Sequence, residues 1–463
     1  MKTTSPATRS ILVAFSCVAL IAAGAPAALA AKRATCGGRE PTIRGSSRGE
    51  VLRGTSGVDI ILALGGADTI TGRGGSDLIC GGAGNDRVVA GAGADLVKSG
   101  PGQDDLAGGK GRDQLQGGGG ADVLEGGGGS YDFLFGGSGR DRIDGGGGPD
   151  FLLGQPGDDR LVGGSGTDVA SYSTASGSVR VDLGAGRSRG SDGRDTLDGI
   201  EVVEGSSSAD HITGSPGDDT LFGEAGDDTI RGAGGNDVIE GDLGDDTLDG
   251  GAGFDFVDYS QSKAGVDVDL GAGTASGHGN DRLERFDGVI GSPKGDRLSG
   301  GDGPDSLFGS DGNDSLDGRP GDDTLEGGPG NDSLGGGAGF DFALYLFSSR
   351  SVTVDLTAGN ASGEGSDSLA GIEGVNGSEQ ADMLSGTAET NALYGAGGND
   401  TMSGRAGNDQ LDGGPGTDAL DGGEGTDTCT NGETLTACED QEAARIAPRT
   451  LTRTRGFARL HSV

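Results

Sequence analysis

The chain has 463 residues, 103 of them glycine, and 73 Asp and Glu stand against 34 Lys and Arg for a formal net charge of −39. With 4% aromatic residues and no Trp, it lacks the apolar mass of several ordinary globular cores. So acidic a surface excludes nucleic acid and anionic lipid as its general partners and suits divalent cations; without something to neutralise it, a chain of this composition stays disordered.

In chain order, residues 1–30 read as a secretory signal peptide. Lys2 and Arg9 precede an uncharged run from Ile11 to Gly24, and Ala28, Leu29 and Ala30 offer a small-residue cleavage site before Ala31. The competing reading is an uncleaved membrane anchor; Cys17 lacks the small preceding residues of a lipidation site. Secreted, extracellular protein is the expectation, with no membrane span once the signal is removed. Residues 31–44 read as an N-terminal cap. Four cysteines then remain, Cys36, Cys80, Cys429 and Cys438, an even count that in an exported chain reads as two disulfides. Three pairings are open, and the split between the two ends favours Cys36–Cys80 with Cys429–Cys438.

From residue 45 a nine-residue unit takes over, as in GGAGNDRVV (81–89) and GGKGRDQLQ (108–116). It has glycine at the first and fourth places, Asp at the sixth and an aliphatic residue at the eighth. A fixed internal period decides the architecture before any single element is assigned. The first array, 45–170, holds fourteen units, one of them stretched to ten residues at 126–135. Its sixth-place residues are Glu50, then Asp59, Asp68, Asp77, Asp86, Asp95, Asp104, Asp113, Asp122, Asp132, Asp141, Asp150, Asp159 and Asp168. A second array, 205–258, carries Asp210, Asp219, Asp228, Asp237, Asp246 and Asp255. A third, 291–344, carries Asp296, Asp305, Asp314, Asp323, Asp332 and Asp341. The fourth, 377–430, carries Asp382, Asn391, Asp400, Asp409, Asp418 and Asp427.

Between the arrays lie three spacers, 171–204, 259–290 and 345–376, which share VRVDLGAG (179–186), VDVDLGAG (266–273) and VTVDLTAG (352–359). Array starts 205, 291 and 377 are each 86 residues apart, the mark of a duplicated module. In the second spacer Val266, Val268 and Leu270 alternate with Asp267 and Asp269, which predicts a half-buried strand. A second strand is expected at 199–206 and 371–378, and Tyr172, Tyr259 and Tyr345 place aromatic bulk in the spacers. The spacers read as larger coils of one continuous solenoid. Residues 431–442 read as a C-terminal cap and 443–463 as a basic, disordered tail holding Arg445, Arg449, Arg453, Arg455 and Arg459.

The nonamer resembles the RTX (repeats-in-toxin) calcium-binding repeat G-G-x-G-x-D-x-U-x. The longer form of that signature matches over Asp68–Asp86, Asp237–Asp255, Asp314–Asp332 and Asp409–Asp427. The resemblance implies an all-β, right-handed parallel β-roll that depends on calcium, with two units per coil. It implies that the first six residues of each unit form a turn and the last three a strand. Multiple Ca2+ ions would sit between stacked turns, held by the sixth-place aspartates above and by backbone carbonyls such as those of Gly81, Gly84, Gly223, Gly226, Gly309, Gly312, Gly327 and Gly330.

The residue chemistry agrees with the resemblance. Calcium takes six to eight hard oxygen ligands, and the repeat offers carboxylates and carbonyls with no soft ligand. An ordinary Asx-turn solenoid would account for the glycines but not for thirty aspartates in register, since stacked like charges need a counter-ion. One aliphatic residue per nonamer is also too little core to hold nine ordered residues, so metal binding has to contribute to folding.

No zinc-protease helix H-E-x-x-H occurs, and no G-x-S-x-G elbow joins a strand to a helix, so the expectation is no enzyme. The reading is a calcium-binding structural or surface-interaction protein, with an extracellular polysaccharide or cell-surface partner as the suited class. The alternative is the targeting module of an extracellular enzyme or toxin whose catalytic part is absent.

Overall fold

A computed structural model describes residues 34–129 and 131–438. The expected signal peptide and basic tail lie outside the described residues, as do residues 31–33 and 439–442 of the cap segments. No described helix is long and apolar enough to cross a membrane; every regular element among the described residues is a β-strand, 46 in all.

The alternation of short aliphatic-centred strands with glycine-rich turns winds the chain between two sheets, of 20 and 26 strands. Each unit contributes one strand, and successive units go to opposite sheets, so a strand pairs in parallel with the one 18 residues on. Ile61 faces Ile79 in one sheet, and Ile70 faces Val88 in the other. The stretched unit is absorbed by a register of 19, with Leu115 facing Leu134. The eighth-place residues fill the space between the sheets. Ile70, Leu106 and Leu124 from one side and Ile79, Val97 and Leu115 from the other are all fully buried, each contributing about 1.5–3 kcal/mol of burial.

Many strands run longer than the three residues expected. Arg87–Ala92 and Leu96–Pro101 continue from the seventh place of one unit through the third place of the next, so the connecting turn shrinks. Two-sided pairing by neighbouring coils explains this, because backbone groups on both flanks of the glycines find partners one coil away.

The spacers differ from the expected pair of strands. Arg160–Ser165 pairs in parallel with Thr196–Asp198. That strand pairs antiparallel with Arg187–Gly190, which in turn pairs antiparallel with Val179–Asp182. Val179–Asp182 then pairs in parallel with His211–Thr213. A three-strand meander is thus let into one sheet, while in the other Val169–Ser171 pairs directly with Val202–Glu204. The second and third spacers repeat the device around Asp267–Asp269 and Thr353–Asp355. This accounts for the six-strand difference between the sheets. The expected burial of Val266 and Val268 is found, and Tyr172, Tyr259 and Tyr345 enter the core beside them.

Both ends are tied covalently: Cys36 is bonded to Cys80 and Cys429 to Cys438. Cys36 is buried with Leu62 and Leu78 on the outer side of the smaller sheet, so the N-terminal segment folds over that face.

Candidate metal centre

The turns of alternate units stack on two edges, and each sixth-place aspartate is built into its column by one oxygen. The backbone N–H of Asp68 donates to Oδ1 of Asp86 at 2.8 Å, and that of Asp86 to Oδ1 of Asp104 at 2.8 Å. The opposite edge repeats the bond from Asp77 to Asp95 and from Asp95 to Asp113. The two departures from Asp keep the geometry. The N–H of Glu50 donates to Asp68, and that of Asn391 to Asp409.

The second oxygen divides the predicted residues into two groups. In Asp68, Asp77, Asp86, Asp95, Asp104, Asp113, Asp122, Asp132, Asp141, Asp150, Asp159 and Asp168, Oδ2 is buried with no hydrogen-bond partner. The same holds for Asp228, Asp237, Asp246, Asp255, Asp314, Asp323, Asp332, Asp341, Asp400, Asp409 and Asp418. The units that open the arrays are different. There Ser, Thr or Gly at the second place gives its backbone N–H to the carboxylate: Thr55 to Asp59, Ser206 to Asp210, Ser215 to Asp219, Ser292 to Asp296, Gly301 to Asp305 and Ser378 to Asp382. Asp427 joins its column through Oδ1, which accepts the N–H of Asp409 at 2.8 Å.

Glycine is required where these oxygens sit. An added Cβ at Gly108 would lie 2.6 Å from Oδ2 of Asp113. Gly84 (φ +129°), Gly226 (φ +133°) and Gly312 (φ +154°), all at the fourth place, take left-handed backbone, which L-residues resist; Gly330, at the same place, does not take it. A Cβ at Gly244 would land on the carbonyl oxygen of Gly226, and one at Gly330 on that of Gly312. Among the first-place residues, a Cβ at Gly223 would lie 2.8 Å from the carbonyl oxygen of Gly241, and one at Gly309 2.6 Å from that of Gly327. Carbonyl oxygens of first- and fourth-place residues such as Gly226, Gly241, Gly312 and Gly327 therefore lie between stacked turns, beside the carboxylates.

Such a site is all acceptor and no donor. Burial, and then the neighbouring carboxylates of the column, push Asp86 up to about 6, Asp132 to about 7, and Asp246 and Asp314 to about 8. No group of three or more His, Cys, Asp or Glu side chains gathers as a metal cluster among the described residues. An ion here would take one or two carboxylates and complete its shell from carbonyls, a donor set that fits calcium and not zinc.

The spacers carry carboxylates in the same columns that the nonamer alignment does not reach. The N–H of Asp159 donates to Asp195, that of Asp246 to Asp281 and that of Asp332 to Asp367. On the other edge the acceptors are Glu201, Asp287 and Glu373; at the C-terminal end Glu433 accepts from Asp418 on the first edge. The signal was present: each trio is spaced by 86 residues, and GHGNDRL (277–283) and GEGSDSL (363–369) keep the turn's glycine, Asp and Leu. Here Oδ2 is satisfied without an ion. The buried hydroxyls of Tyr172, Tyr259 and Tyr345 donate to Asp195, Asp281 and Asp367 at 3.1, 2.8 and 3.1 Å.

A second metal-free device sits where spacers meet arrays. Arg319 donates to both oxygens of Asp269 and to the carbonyl of Gly300, and Arg405 to Asp355 and the carbonyl of Gly386. Both arginines hold left-handed backbone (φ +71° and +76°).

A family model described as the RTX calcium-binding nonapeptide repeat (4 copies) matches this chain in overlapping segments that span residues 44–131, 135–170, 197–257, 290–343 and 376–429. No curated protein matches the chain.

Proposed function

Because this chain belongs to the RTX calcium-binding nonapeptide-repeat family, we propose that it is a secreted protein that calcium folds into a stiff acidic rod with a structural or surface-binding role. The observation that carries the reading is the column of buried Oδ2 atoms without donors, facing carbonyls of the next turn. The repeat's ions bind through the aspartates of that group and the first- and fourth-place carbonyls. The opening aspartates, from Asp59 to Asp382, start each array through their own Ser, Thr or Gly. Bound calcium supplies the positive charge that the columns lack. Because those columns exist only in the folded chain, its binding free energy is folding free energy.

Export is supported by the N-terminal sequence and by two disulfides, which persist in oxidising compartments. Extracellular calcium modules typically bind at about 10⁻⁴–10⁻³ M, which keeps such a chain unfolded until it leaves a low-calcium cytosol. No residue is assigned a catalytic role. Far-UV circular dichroism of the mature chain with chelator, magnesium or calcium tests the proposal. Strand signal is expected with calcium alone; the same spectrum in all three conditions overturns it.

A further inference from the structure

Around the first spacer the outward side of the larger sheet reverses the sign of the molecule. Arg142 lies opposite Arg160 on the adjacent strand, and Arg180 lies opposite Arg189 on one side and His211 on the other. Like charges directly across a ladder are destabilising. The acidic neighbours answer only part of this. Arg142 meets Asp144 at 3.6 Å, Arg160 meets Asp198 at 3.4 Å, and Arg140 meets Asp158 at 3.2 Å, exposed pairs of little worth. Asp158 also accepts the backbone N–H of Arg194 at 3.1 Å. The guanidinium groups of Arg180, Arg189 and Arg194 make no ion pair among the described residues.

These arginines line two adjoining clefts of about 510 and 520 Å³ that share Asp158 and Arg194; the first also holds Asp122, Asp141 and Asp159, whereas in the second Arg180, Arg189 and Arg194 face Asp158 as the one carboxylate of the lining. The fold does not require the charge. In the second spacer the places of Arg180, Arg189 and His211 are held by Asp267, Ser276 and Arg297, and in the third by Thr353, Ser362 and Met383. The same meander therefore forms without the clustered cations.

We propose that this face is a binding site for an anionic polysaccharide, whose carboxylate or sulfate groups are held by Arg180, Arg189 and Arg194. Planar guanidinium forks match both anions. Arg180 and Arg189 stand on neighbouring strands about 4.8 Å apart, and Arg194 lines the same cleft, so three cations are offered together to one ligand chain. The patch is narrow and bordered by acidic arrays, so a chain with one charge every sugar or two meets less repulsion beyond it than a densely charged nucleic acid. The inference deepens the surface-binding part of the proposed function, and its test reads folding separately.

The calcium-loaded mature chain is titrated with κ-carrageenan oligosaccharides (one sulfate every second sugar), hyaluronate (one carboxylate every second sugar), neutral dextran and single-stranded DNA at about 0.15 M salt. A triple variant, Arg180→Thr, Arg189→Ser and Arg194→Ser, takes the residues of the third spacer. Binding to one or both anionic polysaccharides is expected, at least tenfold weaker in the variant, with the calcium-induced dichroism unchanged. The better of the two polymers identifies the anion. Equal binding by the variant, equal binding to neutral dextran, or preference for DNA overturns the site. Should the triple variant fail to fold, Arg189→Ser alone is expected to weaken binding, and unchanged affinity there overturns it as well. Loss of calcium-induced strand in the unmodified chain would instead refute the folding proposal.

Discussion

Asp86 and Asp281 occupy equivalent places in one kind of column, yet their outer oxygens meet different chemistry. Oδ2 of Asp86 has no donor, whereas Oδ2 of Asp281 accepts from the buried Tyr259 hydroxyl. A phenol is neutral, so it satisfies the oxygen without a cation. Tyr259→Phe should therefore cost about 1–3 kcal/mol, the penalty of leaving a buried acceptor unmade, read as a lower urea midpoint of the calcium-loaded chain. Removing charge separates the two groups of aspartates. Asp86→Asn should lower the number of calcium ions bound in equilibrium dialysis, while Asp210→Asn, whose partner is Ser206, should leave it unchanged. The aspartate register was legible because each residue recurs at nine. The tyrosine donors were not, because each reaches a carboxylate 22 or 23 residues away and nothing in the local sequence marks the contact.

At the scale of elements, the nonamer is a reliable guide to the ladder: an aliphatic residue at the eighth place puts a strand there, facing its counterpart 18 residues on. Strand length is less legible, since small-residue segments such as Ala90, Gly91 and Ala92 at the end of Arg87–Ala92 look like turn until a neighbouring coil offers hydrogen bonds. The meander was half legible. VDVDL marks the first strand, but Thr274–Ser276 is short and has no aliphatic alternation, and only pairing to both flanking strands forms it. Because spacer and array repeat together at 86 residues, a whole module should be removable in register. Deleting 291–376 joins Ile290 to Gly377, in place of Gly291, and should leave a chain with the same mean residue dichroism in calcium and proportionally fewer bound ions.

For the molecule as a whole, charge sets when the fold can exist. In the calcium-free state the columns raise Asp86 from an ordinary 3.8 to about 6, Asp132 to about 7, and Asp246 and Asp314 to about 8. A group whose folded value is raised favours folding when protonated, so this stabilisation is complete below about pH 4 and is lost as pH rises through 6 to 8. Acid should thus substitute in part for calcium: with chelator present, strand dichroism is expected at pH 4.5 and its loss by pH 7.5. In the presence of calcium the half-saturating concentration should fall over the same interval, because binding displaces protons.

The tyrosine-capped coils give this chain a mechanical grain. Each stands between two arrays and is held together by tyrosine hydroxyls on its carboxylates and by buried aliphatic residues, so it should outlast an adjacent array that sheds its ions. Under tension in a calcium-poor medium the arrays would let go one after another, each release paying out a length of slack. One 54-residue array holds roughly 190 Å of extended chain, and the tyrosine-capped coils between arrays make that extension stepwise, in the manner of a row of fuses, while Cys36–Cys80 and Cys429–Cys438 tie the first and last coils.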